Sequence, residues 1–76
     1  MTKSVFTDQY QTFLSMLVKE RKKANLTQVQ LASTLKKPQS FISKYEKGER
    51  RLDVIEFLDI ARAIGFDETL FISKLK

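Results

Sequence analysis

The stretch Leu26–Gly48, LTQVQLASTLKKPQSFISKYEKG, decides the fold of this chain. Thr27 is a favourable helix N-cap, and Gln30 follows it at the spacing of a capping box. Pro38 is typical of a first helical turn, because its missing N–H would have no helical partner there. The pattern therefore predicts two short helices joined by a tight turn, at about residues 27–35 and 38–47.

The second of these helices has two different faces. Ile42 and Tyr45 point to one side, and the other side is a polar stripe of Gln39, Ser40, Ser43, Lys44 and Lys47. Amide, hydroxyl and ammonium groups can bind base edges in the major groove of DNA, and lysine also suits phosphate. A polar helix face is most often only a solvated surface. The capped helix and turn before it, the absence of carboxylates from the stripe and the net charge of +5 favour the DNA interpretation.

Composition restricts the class of protein. The 76 residues predict a single domain, and the 42% hydrophobic content must supply its core because there are no cysteines for disulfides. Without histidine or cysteine we expect no metal site and no enzyme, and two glycines are too few for a glycine-rich phosphate loop. No apolar run could span a bilayer and no signal peptide precedes the first helix, so we expect a cytoplasmic protein without cofactor, membrane or small-molecule ligand.

A resemblance to a known family is carried by three segments, LTQVQLASTL, PQSFISKYEKGER and RLDVIEFLDIARAIG. Together they resemble the Xre-type, lambda-repressor-like helix-turn-helix family over roughly residues 10–66. The resemblance implies an all-α, compact five-helix domain with residues 38–47 as the recognition helix. It also implies that Gln28 contacts a phosphate and that Arg21 and Glu46 form a structural ion pair. The main base-contact candidates that it implies are Gln39, Ser40, Ser43 and Lys44.

One residue departs from this family pattern. Lys36 stands in the turn where the family usually has glycine. A left-handed backbone there would cost a non-glycine residue about 1 kcal/mol. The sequence therefore leaves the geometry of this turn open.

Basic residues around the recognition helix are predicted to bind phosphates. Arg50 and Arg51 follow the end of that helix and should run beside the DNA backbone, although a solvated turn explains either arginine alone equally well. Lys44 suits a base or a phosphate. The predicted phosphate contacts are Gln28, Lys37, Lys47, Arg50 and Arg51.

The other three helices are predicted from capping residues and apolar spacing. The first should cover about residues 7–24 after a loose arm at residues 1–6, and Asn25 should close it in a left-handed conformation. The fourth and fifth should cover about residues 53–64 and 68–75.

The last two helices carry more apolar residues than one core-facing stripe needs. We expect residues 66–76 to support a homodimer that places two recognition helices on a near-palindromic operator. The alternative, in which this tail packs on its own core, stays open. The predicted dimer contacts are Ile60, Ile64, Phe66, Leu70 and Phe71.

Two hypotheses for function follow. The first is a sequence-specific, double-stranded DNA-binding transcriptional regulator, such as a repressor, that acts as a homodimer. The second is a protein-interaction module, or an antitoxin-like protein, that binds a protein partner through its apolar C-terminal helices. The operator and the sign of regulation cannot be read from the sequence.

Overall fold

The computed structural model describes the backbone of residues 2–76 and the side chains of residues 8–76. This part of the chain forms five α-helices and no strand, which confirms the predicted all-α architecture. No helix among residues 2–76 combines the length and the apolar character needed to cross a membrane. The helices are α1 (Thr2–Lys23), α2 (Gln28–Leu35), α3 (Gln39–Lys47), α4 (Val54–Ile64) and α5 (Glu68–Ser73).

Two capping boxes determine where α2 and α4 begin. The Thr27 hydroxyl accepts from the Gln30 backbone N–H at 3.0 Å, and Gln30 Oε1 accepts from the Thr27 N–H at 2.8 Å. Asp53 and Glu56 repeat this exchange at α4, at 2.7 and 3.0 Å. Each exchange satisfies two backbone donors that a helix start leaves without partners, so the local sequence is sufficient to set these ends.

Helix α1 begins earlier than predicted. Its backbone is helical from Thr2, so a helix start near residue 7 is wrong. These residues contain no glycine or proline, and nothing in their backbone chemistry stops the helix from extending further upstream. Met1, the first residue of the predicted arm, lies outside the described residues.

The core lies beneath α3 and is built by all five helices. Ile42 and Tyr45 face inward from α3 and have no exposed surface. This arrangement leaves the opposite face of α3 directed away from the protein. The buried core cluster consists of Leu14, Leu17, Leu31, Ala32, Phe41, Ile42, Tyr45, Phe57, Ile60 and Phe71.

Two of the predicted dimer contacts belong to this core. Ile60 is fully buried, and Phe71 is only 3% exposed. The Phe71 ring packs against Phe57 at 5.3 Å and against Phe66 at 4.9 Å between centroids. The prediction that Ile60 and Phe71 contact a second copy is therefore wrong, because their own domain already covers them.

Candidate nucleic-acid interface

Helix α3 carries an exposed polar surface opposite its buried face. Gln39, Ser40, Lys44 and Lys47 are exposed, and Ser43 is half-buried. The single carboxylate of the helix, Glu46, is turned inward, and its side chain is 7% exposed. The surface therefore offers amide, hydroxyl and ammonium groups without a negative charge, which is the composition that suits a DNA groove.

A left-handed residue makes the turn that orients α3. Lys36 has φ 57° and ψ 43°, and its N–H bonds to the carbonyls of Ala32 and Ser33. Lys37 also donates its N–H to the Ala32 carbonyl at 2.9 Å. These bonds satisfy the last carbonyls of α2, and the backbone takes the form that glycine would favour. Asn25, at the end of α1, is left-handed as predicted, with φ 59°.

A buried ion pair connects the end of α1 with α3. Arg21 Nε lies 2.8 Å from Glu46 Oε2, and Arg21 Nη2 lies 3.2 Å from Glu46 Oε1. Arg21 Nη1 also donates to the Leu26 carbonyl at 2.8 Å. This bidentate pair brings together the two residues that the family resemblance named, and it holds α3 against α1.

Gln28 links this ion pair to the outer surface of α3. Its Nε2 donates to Glu46 Oε1 at 2.9 Å, and its Oε1 accepts from Gln39 Nε2 at 3.1 Å. Gln39 then keeps one amide hydrogen and its carbonyl oxygen for a ligand. This donor and acceptor match the edge that adenine presents in the major groove.

Arg50 is engaged by its own protein. Its guanidinium forms a bidentate ion pair with Glu56, at 3.0 and 2.8 Å, and lies 4.9 Å from the centre of the Phe41 ring. The hydrogen bond from Arg50, followed by the bond from the Asp53 backbone, lowers the pKa of Glu56. The sequence does not predict this pair, because Arg50 and Glu56 are separated by a loop and their spacing is not that of a helix or a strand.

The other predicted phosphate contacts lie in different surroundings. Lys37 lies 5.3 Å from the Phe41 ring centre, on the same ring as Arg50. Arg51 stacks on Tyr10 of α1, with 4.2 Å between the guanidinium carbon and the ring centre. Lys47 is exposed in the last turn of α3. Tyr10 was not among the predicted site residues, and its distance from Arg51 along the chain explains why.

One buried polar group lies directly under the interface. The Tyr45 hydroxyl is buried and has no hydrogen-bond partner among the described residues. Burial, followed by the nearby charge of Glu46, raises the pKa of Tyr45. The phenol therefore remains neutral, and its ring packs edge-on against Phe41 at 5.6 Å.

Apolar side chains remain exposed away from α3. Leu70 is 62% exposed, whereas Ile64 and Phe66, also predicted at a dimer interface, are half-buried. Val54 and Ile55, which were not among the predicted site residues, are exposed in the first turn of α4. Single exposed apolar side chains are common on soluble proteins, whereas a contiguous apolar patch would indicate a contact surface.

Comparisons with known proteins agree with this geometry. The family model described as "Helix-turn-helix" matches residues 17–71. A solved structure, the "XRE-family like protein from Pseudomonas syringae pv. tomato str. DC3000", is 50% identical in sequence and superposes with a TM-score of 0.93. The match covers 97% of this chain and 90% of that one. A comparison with curated proteins found no match. The chain belongs to the XRE family of helix-turn-helix proteins.

Proposed function

We propose that this protein regulates transcription by binding a near-palindromic operator as a homodimer, with α3 in the major groove. The family supports DNA binding and a role in transcription regulation. The placement of α3 in the major groove is supported by the exposed face of this helix. The positive charge and the hydrogen-bonding groups of that face match the groove, and the only carboxylate of α3 faces inward.

The contacts divide into two kinds. Base edges are read by Gln39, Ser40 and Ser43, and Lys44 reaches either a base or a phosphate. Phosphates are bound by Gln28, Lys37, Lys47 and Arg51, with a smaller share for Arg50 because Glu56 already balances its charge. Phosphate contacts hold the protein on any duplex, and base contacts select the operator.

The homodimer rests on the apolar surface of the C-terminal helix. Leu70 and Ile72 are exposed on α5, and Ile64 and Phe66 lie half-buried beside it. A second copy would cover these groups and place two α3 helices about 34 Å apart, which is one turn of DNA. The selected operator would then show two related half-sites.

The proposal is tested by selecting bound duplexes from random DNA and measuring their affinity by fluorescence anisotropy. We expect a site with two half-sites, bound with an affinity that falls steeply with added salt. Gln39→Ala should weaken the binding free energy at that site by about 1–3 kcal/mol and reduce the sequence preference at one base position. Its binding to random DNA should be unchanged. Equal losses at both DNAs would show that Gln39 does not read a base.

A second candidate function is a protein-interaction module. It is favoured by the exposed apolar groups Val54, Ile55 and Leu70, which lie outside the polar face of α3. Such a module would bind no duplex at physiological salt. Salt-dependent retention of the selected operator therefore separates the two functions.

A further inference from the structure

The two adjacent arginines after α3 differ in how their charges are balanced. Arg50 pairs with Glu56 through two hydrogen bonds. Arg51 forms no ion pair with any carboxylate among residues 8–76. Residues 1–7 contain no aspartate or glutamate. The positive charge of Arg51 therefore remains available to a polyanion.

Tyr10 of α1 holds this free charge in place. The guanidinium carbon of Arg51 lies 4.2 Å from the Tyr10 ring centre, well within the range of a cation–π contact. The Tyr10 hydroxyl also accepts a hydrogen bond from the Leu52 backbone N–H at 3.3 Å. One side chain thus restrains both the arginine and the backbone that follows it. A restrained arginine loses less conformational freedom when it binds.

The same part of α1 lies close to the end of α3. A Cβ placed on Gly48, which follows the last residue of α3, would lie 3.5 Å from Gln11 and 3.5 Å from Leu14. Tyr10 immediately precedes Gln11, so the stacked Arg51 lies where α3 ends against α1. Arg51 follows Lys47, the last residue of the proposed DNA-reading helix, by four positions in the chain.

We propose that Tyr10 is a positioning residue for DNA binding, which holds Arg51 ready to contact a phosphate. This inference rests on the proposed function. Phosphate contacts carry no sequence information, so Tyr10 affects the affinity for every duplex alike. Tyr10 does not position Arg50, because Glu56 and Phe41 hold the Arg50 guanidinium elsewhere.

The test is a double-mutant cycle on the full chain, with anisotropy measured on the selected operator and on a random duplex from about 50 to 200 mM salt. We expect Arg51→Ala to weaken binding to both DNAs and to lower the salt slope by about 1. Tyr10→Leu should weaken binding to both by about two- to fivefold, the size of an exposed cation–π contact. In the Arg51→Ala background, Tyr10→Leu should have no further effect. Tyr10→Phe, the matched control, keeps the ring and should retain most of the affinity.

Arg51→Lys provides a second measurement that leaves α1 unaltered. If Tyr10→Leu does not fold, this variant tests whether the stack on Tyr10 positions Arg51. Lysine keeps the charge without the planar stack, so we expect several-fold weaker binding at an almost unchanged salt slope. Wild-type affinity for Arg51→Lys, or equal effects of Tyr10→Leu with and without Arg51, would overturn the positioning role. Absence of duplex binding by the wild-type protein would instead refute the proposed function itself.

Discussion

Replacing Lys36 with glycine should stabilise the protein, because Lys36 occupies a left-handed backbone conformation with φ 57° and ψ 43°. That conformation costs a residue with a side chain about 1–2 kcal/mol. Glycine avoids this cost, but it also gains about 0.4–1 kcal/mol of conformational freedom in the unfolded chain. The midpoints of these two ranges differ by about 0.8 kcal/mol, so we expect a net gain in stability of about 0.5–1 kcal/mol. For a domain of this size, such a gain raises Tm by about 2–8 °C.

Thermal and urea unfolding followed by circular dichroism measure this effect, and two variants control it. Lys36→Ala removes the charge but keeps a Cβ, so it should not stabilise. Asn25→Gly changes the other left-handed residue, with φ 59°, and should gain less because asparagine tolerates this conformation. If Lys36→Ala stabilised the protein as much as Lys36→Gly, charge repulsion would be the cause, and the backbone argument would fail.

Three further changes test individual contacts by urea unfolding. Glu46→Ala should lower the free energy of unfolding by about 3–5 kcal/mol, because it leaves the charge of Arg21 buried and unpaired. An unchanged urea midpoint would show that the ion pair does not stabilise the fold. Tyr45→Phe deletes a buried hydroxyl without a partner among the described residues, so stability should rise by about 1 kcal/mol, and a loss would reveal a hidden partner. Glu56→Gln should destabilise at pH 7. The folded pKa of Glu56 is lowered, so its contribution is present above the ordinary value of 4.5 and disappears as pH falls through the folded pKa. The difference between wild type and Glu56→Gln should therefore shrink below pH 4.5, and a constant difference would contradict the ion pair.

Neighbouring residues along the chain were sufficient to predict most of the helices. Thr27 with Gln30, and Asp53 with Glu56, exchange their hydrogen bonds within a single turn, so their spacing can be read directly. The same local logic placed Asn25 in the left-handed region. It failed at the start of α1, where the predicted helix start at Thr7 was wrong and the helix extends upstream.

The outward face of α3 was also predictable in part. Hydrophobic spacing within one helix separates Ile42 and Tyr45 from the polar residues, and the structure buries both. The link from Glu46 through Gln28 to Gln39 could not be derived from periodicity, because it joins residues of different helices. Such a link depends on the crossing of α2 and α3.

Only the tertiary structure separated residues that look alike in sequence. Arg50 and Arg51 are adjacent and chemically identical, yet one pairs with Glu56 and the other stacks on Tyr10 of a distant helix. Likewise Leu70 and Phe71 are neighbours, and only Phe71 enters the core. Capping and periodicity act over about one helical turn and are therefore determined by the sequence itself. Contacts between side chains of different helices depend on how the helices pack, and local spacing in the sequence does not predict that packing.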